Sequence, residues 1–277
     1  MNDDAKNKGR PEVKLEAYKD LAQPAGRILG DVLGKVASLA LEPVGALADI
    51  GKANLMRFVK KLEKEERENP ENIIPTKPSV AVPILEKMRY NDEDALAEAY
   101  AELLKNSCLK DRQAKVLPAY SEILARLSPD EVKILDCINS GGVSYRLHGK
   151  SVWYDGFPFV EIRNKSKHAR EWLTVESHFN DLDQRVILSN SENMGTYIDN
   201  LIALRIFSVD HGVEYKPVSI YENLERDASR LYQSKIEQVG RVMDLNRGAI
   251  SLTNLAKSFL AMCTSNRHNG ESNAPTS

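Results

Sequence analysis

The sequence is short of the features that announce secretion, membrane insertion or metal chemistry. Its 277 residues hold only three cysteines, Cys108, Cys137 and Cys263, far apart, with no CxxC pair and no histidine at ligand spacing beside them. That pattern fits neither a disulfide framework nor a zinc site. No run reaches the ~18 uncharged residues of a membrane-spanning helix. The most apolar stretch, Leu21 to Gly51, is interrupted by Arg27, Asp31, Lys35, Glu42 and Asp49. The opening residues MNDDAKNKGRPE carry both charge signs and lack the apolar core of a secretory signal. A cytoplasmic chain is expected, with peripheral attachment at the inner membrane as the one membrane option.

An excess of charge of one sign is also lacking. Charged residues make up 28% of the chain, yet the formal net charge is -2 and the pI about 6.3, so the whole molecule offers no attraction to nucleic acid or to an anionic bilayer. Catalytic patterns are missing too. The five histidines, His148, His168, His178, His211 and His268, show no HExxH spacing, and there is no GxxxxGK[ST] loop or GxSxG elbow. Glu176, Asp181 and Asp183 flank His178 in a way that could mimic an acid-base or metal group, but a polar turn between strands is the favoured explanation. No catalytic residue, metal ligand, cofactor or small-molecule substrate is therefore assigned.

What is present is helical periodicity. From Glu12 to Asn69 the pattern predicts three consecutive helices, with Pro24 and Pro43 at first-turn positions. The last of them carries Val44, Leu47, Gly51, Leu55, Phe58, Val59 and Leu62 on one face. Asn69 to Pro83 holds four prolines and predicts an extended linker over 70–83. The middle region, 84–127, contains two amphipathic helices, one on Ala95, Leu96, Ala99, Tyr100, Leu103 and Leu104, the other on Val116, Tyr120, Ile123, Leu124 and Leu127. Ser128-Pro129-Asp130-Glu131 then reads as a helix start, with an N-cap, a first-position proline and two acids favoured by the dipole.

Residues 143–188 turn to strand-forming composition around Trp153, Phe157, Phe159, Val160, Ile162, Trp172 and Val175. Asn193 to Phe207 returns to helical spacing and Tyr221 to Val239 predicts a charged helix. Val242 to Leu252 predicts a hairpin turning at Asn246-Arg247-Gly248, ahead of a closing helix and a disordered tail at 265–277. The fold class is mainly α with a small β component, α+β. Residues 1–69 form the N-terminal helical region, and 128–264 have the order of a winged helix with an inserted sheet at 143–188.

In a winged helix, Asn193 to Phe207 would be the reading helix, offering Asn193, Asn200 and Arg205 to DNA but also Glu192 and Asp199. The segment from Ser128 to Cys263 has sixteen basic and eighteen acidic residues, without the electropositive footprint of a DNA-binding domain. A protein-interaction module suits that balance better. Its one basic patch is Arg163, Lys165, Lys167 and Arg170, a candidate interaction patch. Near the N-terminus Gly26, Gly30, Gly34 and Ser38 recur every fourth residue, a stripe along which two helices can lie close or a membrane surface can be met. Each such glycine costs a helix about 1 kcal/mol relative to Ala, so a packing, oligomerisation or membrane role is expected to offset it.

Several segments in order resemble the Abi-alpha (abortive infection alpha) family: YKDLAQPAGRILGDVLG at Tyr18–Gly34, IIPTKPSVAVPILEKMRY at Ile73–Tyr90, and AYAELLKNSCLKD at Ala99–Asp111. VLPAYSEILARLSPDEVKIL at Val116–Leu135, YIDNLIALRIFS at Tyr197–Ser208 and ISLTNLAKSFLAMC at Ile250–Cys263 continue the series. The chain departs at Ala256, where the family more often has Gly. The resemblance implies a bacterial phage-defence role by abortive infection and brings no catalytic residues. Two functions stay open: a non-enzymatic effector acting through a protein partner, self-association or a membrane surface, and a winged-helix transcriptional regulator.

Overall fold

The computed structural model describes residues 46–264 except 142, 148–149, 154, 167–170 and 217, and for 46–48, 144–147 and 150–153 only the backbone. The described part of the chain divides into two compact units, 46–126 with 262–264 and 127–261. It is mainly α with one curled antiparallel sheet of four strands. The two N-terminal helices expected before Val44, the stripe Gly26, Gly30, Gly34 and Ser38, and the tail 265–277 lie outside the described residues.

The first unit is helical. Helix α1 (Ala46–Glu68) buries Leu55, Phe58, Val59 and Leu62, the face expected from their spacing. It packs on α3 (Asp94–Ser107), which is buried along most of its length and forms the centre of the unit. Between them α2 (Pro78–Met88) buries Val80, Ala81, Ile84, Leu85 and Met88. The linker expected over 70–83 is thus partly helix. Pro78 sits in the first turn, where no amide donor is needed, and Pro83 stands inside the helix, removing one backbone bond that the burial of the apolar face offsets. Residues ahead of α2 are pinned: Ile74 N–H donates to Cys108 O (2.9 Å) and Thr76 Oγ1 donates to Ser107 Oγ (2.7 Å). Helix α4 (Ala119–Leu124) is shorter than its periodicity suggested.

The second unit opens with α5 (Pro129–Asn139). Its predicted start is a complete capping box: Ser128 N–H donates to Glu131 Oε2 (2.6 Å) and Glu131 N–H to Ser128 Oγ (3.3 Å). A hairpin of β1 (Ser144–Leu147) and β2 (Lys150–Trp153) forms a two-stranded sheet of its own. The sheet runs β4 (Trp172–Phe179), β3 (Gly156–Lys165), β6 (Val242–Leu252), β5 (Phe207–His211). On one face Val160 and Ile162 pack on Tyr221, Leu224, Ala228 and Ile236 of α7 (Ser219–Gln238). The opposite face carries Phe157, Phe159, Glu161 and Arg163, and α6 (Met194–Ala203) packs on its outer strands β4 and β5. Helix α8 (Asn254–Cys263) is the last element among the described residues.

Two expectations are corrected here. Val242–Leu252 is no hairpin but one strand paired along its length with β3 and partly with β5, so the wing of the winged-helix reading is not formed. Gly248 is not a turn residue. It sits opposite Phe159, and a Cβ there would come 2.3 Å from Phe159 Cζ, so glycine makes room for the ring within the sheet. The helix expected over Asn193–Phe207 ends earlier: Arg205 takes φ 58° and Phe207 begins β5. Ile206 and Phe207 are buried, and short apolar stretches such as these read as either helix or strand.

Candidate interaction surface

Strand β4 lies at the sheet's edge, paired on one side only. Its first residues face water although three are large and apolar: Trp172 is 53%, Leu173 61% and Val175 42% exposed. The pairing of β3 with β4 is regular over Lys165↔Trp172, Asn164↔Leu173 and Arg163↔Thr174, then slips between Arg163 and Ile162 and again before Val160. Residues 172–174 are therefore a regular edge, apolar at Trp172 and Leu173, with backbone donors and acceptors pointing outward. Edges of this kind recruit further strands unless they are blunted. On the row of Trp172, Lys165 is exposed and Val242 is 45% exposed.

Of the basic patch expected in this region, Arg163 and Lys165 stand on β3, while Lys167 and Arg170 fall outside the described residues. Arg163 is not a free cation. Its Nη2 donates to Glu161 (2.5 Å) and its guanidinium stacks over the Trp172 ring, 5.3 Å from the centroid. It supports Trp172 from below, and Lys165 alone of the pair projects into water.

Glu161 is the polar hub of this sheet face. It also accepts from Thr174 Oγ1 (2.9 Å) and Asn246 Nδ2 (3.3 Å). Its bond from Arg163, with burial working the other way, holds its carboxyl down to about 2. His211 Nδ1 lies 3.8 Å from it, and the Phe159 ring stands edge-on between His211 and His178. Burial lowers the pKa of His178 against the opposing pull of Asp199, 3.4 Å away. The acids expected near His178 do not converge on it: Asp181 pairs with Arg185 (2.5 Å) instead. Among the described residues no group of three or more His, Cys, Asp or Glu could hold a metal. Burial pushes the Cys108 thiol up to about 12 and that of Cys263 well above its ordinary value, which disfavours the reactive thiolate at both.

Two residues of the helix that would read DNA in a winged helix are engaged within the chain. Asn200 Nδ2 donates to Glu131 Oε1 (2.6 Å) and Tyr197 hydroxyl donates to Asp130 (3.1 Å). Asp130, 4% exposed, also accepts from Ser189 N–H (2.9 Å), Asn190 N–H (3.1 Å) and Lys133 Nζ (2.8 Å). From its place in the first turn of α5, Asp130 is expected only to favour the helix dipole. Apart from Lys133, its partners lie about sixty residues on and leave no local signal, and the exposed edge at Trp172-Leu173 was hidden because apolar residues in a strand read as core.

The family model described as abortive infection alpha matches residues 51–263. The chain belongs to the abortive infection alpha family. The match takes in both described units and begins after the glycine stripe. Among solved structures, an uncharacterized protein from the hydrocarbon-degrading marine bacterium Alcanivorax borkumensis SK2 is similar at 16% identity over 55% of this chain and 96% of that one, with a TM-score of 0.34. The comparison with curated proteins found no match. Membership supports an abortive-infection-type role in general. Among the described residues no helix is long and apolar enough to cross a membrane.

Proposed function

We propose that this protein serves phage defence by abortive infection without catalysis, through contact with a protein along the outer edge of β4. The observation that carries the reading is the exposure of Trp172, Leu173 and Val175 on an unpaired strand edge. A natural edge strand of this kind is usually blunted by charge, proline or a bulge, whereas β4 is regular over Trp172, Leu173 and Thr174 and its first bulge comes only at Val175. By contrast, the groups with catalytic potential on the same face, Glu161 and Arg163, are bound to one another and to Thr174 and Asn246. The neutral charge balance and the internal engagement of Asn200 favour a protein over DNA as the partner.

The test is a phage challenge of cells carrying the parent chain or Leu173→Lys/Val175→Lys, scored for plaques and host survival. Both residues are exposed, so the folded protein should reach parental levels with its melting temperature unchanged. Plaque numbers are expected to rise to those of cells lacking the gene. Full protection by the folded variant overturns the reading.

A further inference from the structure

We propose that a groove on the second unit binds a small zwitterion, an aliphatic α-amino acid carrying both of its charges. This site does not depend on β4 as a contact surface. The groove has a volume of about 540 Å³, within the range of small-ligand pockets. It lies between the turn at Leu182–Gln184 and the first half of α7. Its floor is apolar, made by Ile220 and Leu224, which are 7% and 4% exposed. The wall across from α7 is held in place: Leu182 is fully buried, its N–H donates to Asn180 Oδ1 (2.9 Å), and Arg185 closes on Asp181.

The charges around the groove decide what it takes. Asp181 is paired with Arg185, and Asp227 lies 3.6 Å from Arg230. Glu222 and Arg226 also line the groove, both exposed and, among the described residues, in no hydrogen bond or ion pair. They stand four residues apart on α7, so their side chains leave one face of the helix about 5–6 Å from each other. An exposed pair at this spacing gains little by closing on itself, so a ligand displaces it at small cost. An anion drawn to Arg226 also meets Glu222, and a cation drawn to Glu222 also meets Arg226. A molecule with one charge of each sign satisfies both. The amides of Gln184 and Asn223, exposed and likewise without a partner among the described residues, each donate and accept, which suits a carboxylate and an ammonium group side by side. The apolar floor takes an aliphatic side chain, so leucine is the probe.

The rim is open to water, so the expected dissociation constant is on the order of 1 mM. Ligand-observed NMR titration of the full chain should show saturable leucine binding in that range. Two analogues keep the side chain and lose one charge each: isocaproate lacks the ammonium group and isoamylamine the carboxylate. Each should bind the parent at least about tenfold more weakly than leucine. The variants exchange these preferences. In Glu222→Gln leucine should bind no better than isocaproate, and in Arg226→Gln no better than isoamylamine. Both positions are exposed, so the melting temperatures should stay parental. The analogue series on the parent decides the matter even if a variant fails to fold. Absence of saturable leucine binding well above the expected range overturns the inference. So does an analogue that binds the parent as tightly as leucine, or a folded variant that keeps the full preference for leucine over the analogue matched to it.

Discussion

In the first unit the buried carboxylate of Glu102 is gripped by two side chains, Lys61 and Lys105; in the second that of Asp130 is gripped chiefly by backbone, the amides of Ser189 and Asn190, with Tyr197 and Lys133. Burial alone would raise both pKa values. Lys105 and Lys61 more than offset it at Glu102, and Lys133 with the two amides and Tyr197 does so at Asp130, far below the usual carboxylate range. The difference lies in how the donors are held. A lysine is a long flexible stem that can swing into water when its partner changes, whereas a backbone amide stays where the chain puts it. Glu102 therefore ties α1 to α3 adjustably, while Asp130 fixes the 189–190 segment against the start of α5.

The largest effect should come from removing the charge that the backbone holds. Asp130→Asn keeps the shape but turns one oxygen into an NH2 group, which must face amide donors or leave them unpaired. Breaking a buried charged cluster from one side costs about 3 kcal/mol or more. Chemical denaturation should show this loss, and hydrogen exchange at Ser189 and Asn190 should rise well beyond the global change. Equal exchange everywhere would mean that the contact is not a local clamp.

Glu102→Gln should cost less, about 1–2 kcal/mol, since both lysines can turn to solvent and Gln still offers an acceptor. Acid separates the cases further. Carboxylates with depressed folded pKa values stabilise the protein above their unfolded pKa, about 4, and lose that contribution as pH falls through the folded value. Glu161, held to about 2, should make the parent lose stability between about pH 4 and 2, and Asp130 should extend the loss to lower pH. In Asp130→Asn the part due to Asp130 is already gone, so its stability should fall less steeply with acid than that of the parent. Parallel curves for parent and variant would show that Asp130 titrates normally in the folded chain.

The same contrast between local and distant partners governs what could be read in the sequence. The capping box at Ser128 and Glu131, the buried face of α1 and the limits of α7 and α8 depend on neighbours a few residues away, and each leaves its mark in spacing. The single strand β6 does not. Asn246-Arg247-Gly248 has turn composition, and only the Phe159 ring packed against Gly248 turns that glycine into a strand residue. Pro83 misleads for a related reason: its missing N–H is local and visible, while the burial of Ile84, Leu85 and Met88 that overrides it is not. For the candidate surface, Arg163 and Lys165 were legible as a basic pair. The exposure of Trp172 and Leu173 was not, because it follows from the place of β4 at the edge of the sheet rather than from its residues.

The smallest effect concerns the two helical glycines, one in each unit. A Cβ on Gly51 in α1 would meet the Arg89 backbone and side chain at 3.5 Å, whereas one on Gly195 in α6 would meet only Glu176 Oε1 at 3.6 Å. Both distances are ordinary contact, and neither glycine has the positive φ that would forbid a side chain. Gly195 stands in the first turn of α6 and is half-buried, so an added methyl group is tolerated while the unfolded chain loses freedom. Gly195→Ala should therefore stabilise the second unit by about 0.5–1 kcal/mol. Gly51→Ala should gain less, because the methyl group must settle against the fixed Arg89 backbone rather than a carboxylate at the end of a rotatable side chain. Denaturation midpoints of the two variants measured together would decide the order. A loss of stability in Gly195→Ala would show that α6 packs on β4 more closely than its contacts indicate, and that the Glu176 side chain cannot move aside.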